Sequence, residues 1–178
     1  MAKKPLHLKP QDVVLLLKLL AQPEAHERIL DLAHSLGISS SEISHGLSRL
    51  RDAALLAPDK RSPLRANALE FLVHGLKYVF PAKLDAIKRG VPTAHSALPL
   101  SKKIKSASED KYVWPSAEGK VRGQAIIPLY PSVPEAALKD PELHELLALC
   151  DAIRIGRARE KKIAVDELNK RLVDKNEA

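Results

Sequence analysis

The sequence holds one cysteine, Cys150, so no disulfide can form within a single chain. That excludes the small, disulfide-stapled class of secreted domain and makes a reducing intracellular setting the default. Aromatic residues are only 3% of the 178, so a core has to be built from Leu, Ile, Val and Ala. The seven glycines fall in no phosphate-loop or dinucleotide-binding order. The longest strongly apolar run, Val13 to Leu17, is far too short to span a bilayer. Lys3 and Lys4 are not followed by the apolar stretch and small-residue cleavage site of a signal peptide. Together these features predict a cytoplasmic protein with no membrane partner.

Signatures of chemistry are equally scarce. His7, His26, His34, His45, His74, His95 and His144 show no paired metal spacing, and no second cysteine joins them. The stretch RGVPTAHSALPL brings a Thr, a His and a Ser close together, but no nucleophile elbow or orienting acid accompanies them. A turn-rich linker is the better account of it. The expectation is a protein that is not an enzyme and uses neither metal nor cofactor. Cys150, within LLALCDAI, reads as a small core or interface residue rather than a nucleophile.

Charge and apolar patterning are what the sequence does have. Apolar residues make up 45%, mean hydropathy is -0.17, and the net charge is +7 with a pI near 9.5. The excess is uneven: +3 over residues 1–80, +5 over 81–125 and -1 over 126–178. The positive field therefore belongs to the first two thirds and favours an anionic partner there.

Helical spacing dominates the first 80 residues. Asp12 suits the first turn of a helix on which Val13, Leu16, Leu17 and Leu20 form a stripe. A second helix is expected from about Glu24 to Ser35, with Ile29, Leu32, Ala33 and Leu36 on one side and Gly37 just past its end. A third covers Ser40 to Ala54. A fourth runs from Asn67 to Phe80, repeating Leu69, Leu72, Val73, Leu76 and Phe80. Residues 81–136 then change character. After Pro81 six further prolines interrupt them, SKKIKSASEDK reads as an exposed loop, and only GQAIIPLY hints at a strand. The chain closes with two further helical stripes, Leu143, Leu146, Leu147, Cys150 and Ile153, then Ala164, Leu168 and Leu172.

The third helix carries the clearest local signal, in SLGISSSEISHGLSRLRDAALL. With Ser39 as N-cap, Glu42 falls three residues into the helix, the spacing of a reciprocal capping box. Ile38 and Ile43 take the two positions of a hydrophobic staple. Ile43, Leu47 and Leu50 define the buried stripe, leaving Ser40, Ser41, Ser44, His45, Ser48 and Arg49 on exposed arcs. Serine is only a middling helix former, so propensity does not explain the choice. Small hydroxyl side chains let a helix lie deep in a DNA groove while touching bases or phosphates.

The stretch LAHSLGISSSEISHGLSRLRDAALL resembles the helix-turn-helix of winged-helix transcription regulators, particularly the MarR-like group. Ala33 matches the small residue where the two helices cross, Gly37 the turn glycine, Ile43 the buried aliphatic residue, and Gly46 a further small position. Leu50, Ala53, Leu55 and Leu56 resemble the exit into the wing. The likeness covers roughly residues 10–80. The family often has Gly where this chain has Ala54, a difference worth roughly 1 kcal/mol if the backbone there is left-handed. The wing candidate, LLAPDKRSPLRANAL, is short and lacks strand alternation.

These readings combine into a mainly α fold of three parts. Residues 1–80 form a (winged) helix-turn-helix DNA-binding domain, 81–136 an irregular proline-rich and basic connecting segment, and 137–178 a C-terminal helical dimerisation region. The expected function is sequence-specific binding of double-stranded DNA by a homodimeric repressor reading an inverted repeat with helix 40–54. Its DNA-binding candidates are Ser39, Ser40, Ser41, Ser44, His45, Ser48, Arg49, Arg51, Lys60, Arg61 and Arg65. Its dimerisation candidates are Leu143, Leu146, Leu147, Cys150, Ile153, Leu168 and Leu172. Two rivals stand beside it: an autoregulating antitoxin or defence-operon control protein that also binds a protein partner, and a protein-binding adaptor without DNA binding.

Overall fold

The segment VVLLLKLL places apolar side chains on every side of a helix, and such a helix has to be surrounded. The computed structural model, which describes residues 7–22, 28–105 and 110–173, places it at the centre of the molecule. In chain order the helices are α1 (Pro10–Ala21), α2 (Ile29–Leu36), α3 (Ser40–Asp52), α4 (Arg65–Glu70) and α5 (Leu76–Val79). After a β segment come α6 (Val133–Lys139), α7 (Pro141–Ile155) and α8 (Ala158–Leu172). Every residue of α1 from Asp12 to Leu20 is buried, against α2 and α3 on one side and α7 on the other. Its one lysine, Lys18, donates to Asp140 at 2.9 Å, and Asp140 also caps α7 by accepting from the Leu143 amide.

The expected helices are otherwise close to place. The α2 helix starts at Ile29, and the expected start at Glu24 lies outside the described residues. The fourth helix is α4 and α5 joined by one wide π turn, Phe71–Gly75.

The middle of the chain corrects the mainly α reading. Residues 84–126 contain three strands, β1 (Leu84–Thr93), β2 (Tyr112–Pro115) and β3 (Val121–Ile126), so the fold is α/β. The long β1 pairs antiparallel with β3 through Leu84–Gly90 and with β2 through Gly90–Thr93, while β2 and β3 run parallel to each other. Three strands so paired close on themselves as a small barrel. Closure brings backbones together where no side chain fits. A Cβ on Gly90 would collide with the Trp114 carbonyl, and one on Gly119 with the backbone of Gly90. Proline and glycine are poor strand residues, yet Pro92 lies near the end of the β1 ladder and Gly90 at the point of closest approach.

A buried carboxylate ties this barrel to the helices. Asp151 of α7 accepts from Thr93 Oγ1 (2.8 Å), Trp114 Nε1 (2.7 Å) and Arg154 Nη1 (2.7 Å). Burial pushes its carboxyl up from the ordinary value, and those three donors, one of them a cation, oppose the push. Arg154 in turn donates to the Phe80 carbonyl, so a single node joins β1, β2, α7 and the end of α5.

The dimerisation reading also needs correction. Leu143, Leu146, Leu147, Cys150, Ile153, Leu168 and Leu172 are each at most 3% exposed, and all belong to one core with α1, α3 and α5. Their stripes are covered by this chain itself and are not available to a second copy. That core takes in Val91, Leu100, Trp114 and Ile126 as well, so it runs through all three of the regions expected to be separate.

Candidate nucleic-acid interface

Two helices and a turn set out the site. Leu32 and Leu36 bury one side of α2, and Gly37 ends it in the left-handed conformation (φ 62°). Ser132, just before α6, donates to the Leu36 carbonyl at 2.5 Å and so secures that end from outside. Ser39 then caps α3, its Oγ accepting from the Glu42 amide at 3.2 Å. Ile38 and Ile43 are both buried, as a staple requires. The capping box is only half made, however, because the Glu42 carboxylate turns the other way, toward Lys9, Gln11 and Arg49.

That diversion removes Arg49 from the expected reading face. Arg49 is 5% exposed and forms a fork on Asp12 of α1, Nε to Oδ2 and Nη2 to Oδ1, both at 2.7 Å. Nη2 also reaches Glu42 at 2.5 Å. Hydrogen bonding to Asp12 raises the guanidinium pKa further above its already high value. Burial works against ionisation of Glu42, but bonds from Lys9 and Arg49 outweigh it and hold its carboxyl below the usual range. Gly46 belongs to the same packing, since a Cβ there would stand 2.9 Å from Asp12 Oδ1. Asp12, Glu42 and Gly46 form the joint between α1 and α3. The sequence offers one hint of it, an acid set at the start of an otherwise apolar helix.

The solvent face of α3 consists of Ser41, Ser44, His45 and, at its end, Asp52, all exposed, flanked by Ser40 and Ser48, which are half-buried. Ser48 Oγ donates to the Ser44 carbonyl and accepts from Lys60 Nζ, each at 3.3 Å. Lys60 comes from the loop after α3, which forms a minimal hairpin. Its one bridge joins Leu56 to Pro63, with Ala57 N donating to Ser62 O and Leu64 N to Leu55 O. Leu55 and Leu56 anchor its base in the core. At the tip Asp59 accepts from the amides of Arg61 and Ser62 and from the Ser62 hydroxyl. Those bonds hold its carboxyl down at about 2. Among the described residues no β wing of winged-helix type is built: beyond this bridge, the strands lie in the 84–126 segment.

The other basic candidates are placed less directly. Arg51 is half-buried and paired with Asp52, Arg61 is half-buried beside the hairpin tip, and Arg65 Nη1 reaches the Leu172 carbonyl at 3.4 Å. Ala54 is left-handed, with φ 55°, and its carbonyl accepts from Asn67 Nδ2 at 2.7 Å.

The Thr, His and Ser of RGVPTAHSALPL take separate partners. Thr93 bonds Asp151, His95 Nε2 bonds the Asp110 carbonyl at 2.6 Å, and Ser96 Oγ accepts from the Tyr112 amide. Among the described residues no group of three or more His, Cys, Asp or Glu is arranged to hold a metal ion, and no helix is long and apolar enough to cross a membrane. In comparisons with protein families, curated proteins and solved structures, nothing matches this chain.

Proposed function

We propose that the protein is a sequence-specific DNA-binding transcriptional regulator, acting as a homodimeric repressor in the cytoplasm, with α3 as the helix that enters the major groove. One observation carries the reading. The exposed side of α3 carries Ser41, Ser44 and His45, with Asp52 at its far end neutralised by Arg51, and the Lys60 ammonium lies along the same helix at Ser48. Short side chains allow a helix axis to approach the groove floor, and a lysine beside it is placed for a phosphate. The likeness of residues 10–80 to the MarR-like helix-turn-helix supports the same assignment. In this arrangement Ser39 and Arg49 hold the helix in place, and Ser41, Ser44, His45 and Lys60 meet the DNA.

Footprinting on the promoter of the gene itself, with a salt titration, tests it. Ser44→Ala and His45→Ala should each weaken operator binding by about 1–3 kcal/mol if they touch base edges, with the melting temperature unchanged. Lys60→Ala should weaken binding to all sequences alike and lower the slope of log K against log salt by about 0.9. Binding that is unaltered in all three variants sinks the proposal and leaves a protein-binding module.

A further inference from the structure

The first half of β1 is the least protected part of the fold. Leu84–Gly90 pair with β3 on one side, and β2 takes the other side only over Gly90–Thr93. Among the described residues Leu84–Arg89 therefore have a single β neighbour, and all six are exposed. At the far end of this edge, however, the Arg89 carbonyl accepts from the Ser116 amide at 3.3 Å and Arg89 Nε donates to the Gly119 carbonyl at 2.6 Å. Large apolar side chains gather at this end. Ile87 is 63% exposed and Leu84 48%, while Tyr78 and Val79 at the end of α5 are 74% and 53% exposed. Ile127 is exposed too, and its amide donates to the Lys83 carbonyl beside Leu84. Val79, Lys83 and Ile127 also line a groove of about 380 Å³. A strand edge flanked by this much exposed apolar surface is a template for another strand.

The order of charges along the edge selects the partner. Over Leu84–Arg89 the strand reads LDAIKR, acidic near its start and basic at its end. A two-fold axis pairs each residue of one copy with its counterpart in both directions. Antiparallel self-pairing centred on Ile87 sets Asp85 opposite Arg89 twice, and sets Ile87 against Ile87. Shifting the centre by half a residue sets Asp85 opposite Lys88 instead, so the match survives the local irregularity between Asp85 and Ile87. In the single chain Asp85 turns back on its own strand, accepting from the Ala86 amide at 2.7 Å and from Lys88 at 2.5 Å. Lys88 is the cation that Asp85 of a second copy would engage in the shifted register.

We infer that the protein dimerises through antiparallel pairing of the β1 edges, Leu84–Arg89, of two copies, and not through its C-terminal helices. The test needs no DNA, so its outcome is separate from that of the reading of α3. Sedimentation equilibrium of the full chain should show a dimer. Asp85→Lys sets like charges across the axis, as does the double variant Lys88→Glu/Arg89→Glu. Each alone should self-associate at least about tenfold more weakly, since facing like charges cost more than the 1.4 kcal/mol that a factor of ten represents. Mixed together, the two variants should recover dimerisation. The introduced lysine of one copy then faces the introduced glutamates of the other, and the retained Asp85 faces the retained Lys88 and Arg89. Circular dichroism melts confirm that each variant is folded; if either is not, Ile87→Gln takes its place and should weaken the dimer alone. A monomer at every concentration, which would give the edge to a foreign strand, overturns the inference. So does a dimer indifferent to these changes, or a mixture that fails to recover.

Discussion

Replacing Arg49 by alanine separates a structural arginine from a DNA-reading one. The side chain makes three charge-assisted bonds, two to Asp12 at 2.7 Å and one to Glu42 at 2.5 Å. Alanine removes them and leaves Asp12, 1% exposed, as a buried carboxylate without its counter-charge. Breaking a buried pair from one side costs about 3–5 kcal/mol. The low end applies here, because Asp12 still accepts from the Lys9 amide at 2.8 Å and Glu42 keeps Lys9. A loss of about 3 kcal/mol is a large part of the roughly 5–15 kcal/mol of a typical domain. It corresponds to a fall of about 6–12 °C in melting temperature for a chain of this length. Arg49→Lys should fall between, keeping a charge but losing the fork. Urea melts followed by circular dichroism give the number. An Arg49→Ala protein of unchanged stability that fails to bind DNA would refute the account of the α1–α3 joint and return Arg49 to the reading face.

Three further outcomes follow from local geometry. Ala54→Gly should raise stability by about 0.5–1 kcal/mol: a left-handed alanine costs about 1–2 kcal/mol, and the unfolded-state entropy of glycine takes back part of the relief. A melting temperature that falls instead would mean that the alanine side chain contributes packing the geometry does not account for. The Asp59 carboxyl is held down at about 2, so its support of the hairpin tip is complete above the unfolded carboxylate value and is lost as the pH falls toward 2. The Arg61 and Ser62 amide resonances should shift with that midpoint, and a midpoint near 4 would show that the Asp59 bonds do not form in solution. Gly119→Ala should open the barrel at a cost of at least about 1–3 kcal/mol, because its Cβ meets backbone that cannot turn aside. The fluorescence of Trp114, the single tryptophan, would report the change, and an unaltered spectrum with unaltered stability would rule out the closed barrel.

What the sequence disclosed of this molecule was its local physics. The start of α3 rests on Ser39, Ile38 and Ile43, all close together in the chain, and the structure places each where the pattern does. Cost at Ala54 was legible for the same reason. Arg49 was not, since Asp12 lies 37 residues away and helical spacing alone puts Arg49 beside the serines. The stripes on α7 and α8 announced that something covers them. Periodicity says nothing about whether the cover is a second copy or, as here, α1 and the rest of the same core. The barrel escaped because its strands carry little alternation: β1 is exposed on both faces through Arg89, and β2 has four residues. Its stability comes from mutual pairing and from Asp151, which only the folded chain brings together.

The position of α1 also sets a timetable for synthesis. This helix leaves the ribosome well before the helix covering its far side, α7, which begins only at Pro141. Lys18 waits 122 residues for Asp140. Until then VVLLLKLL stands half-clothed, a greasy helix in a nascent chain, which is the condition that recruits chaperones and promotes aggregation. Contacts of such long sequence separation also slow folding. A fragment ending near residue 80 would keep the turn and α3 but leave α1 bare, so the smallest unit that folds around the candidate site is close to the whole described chain.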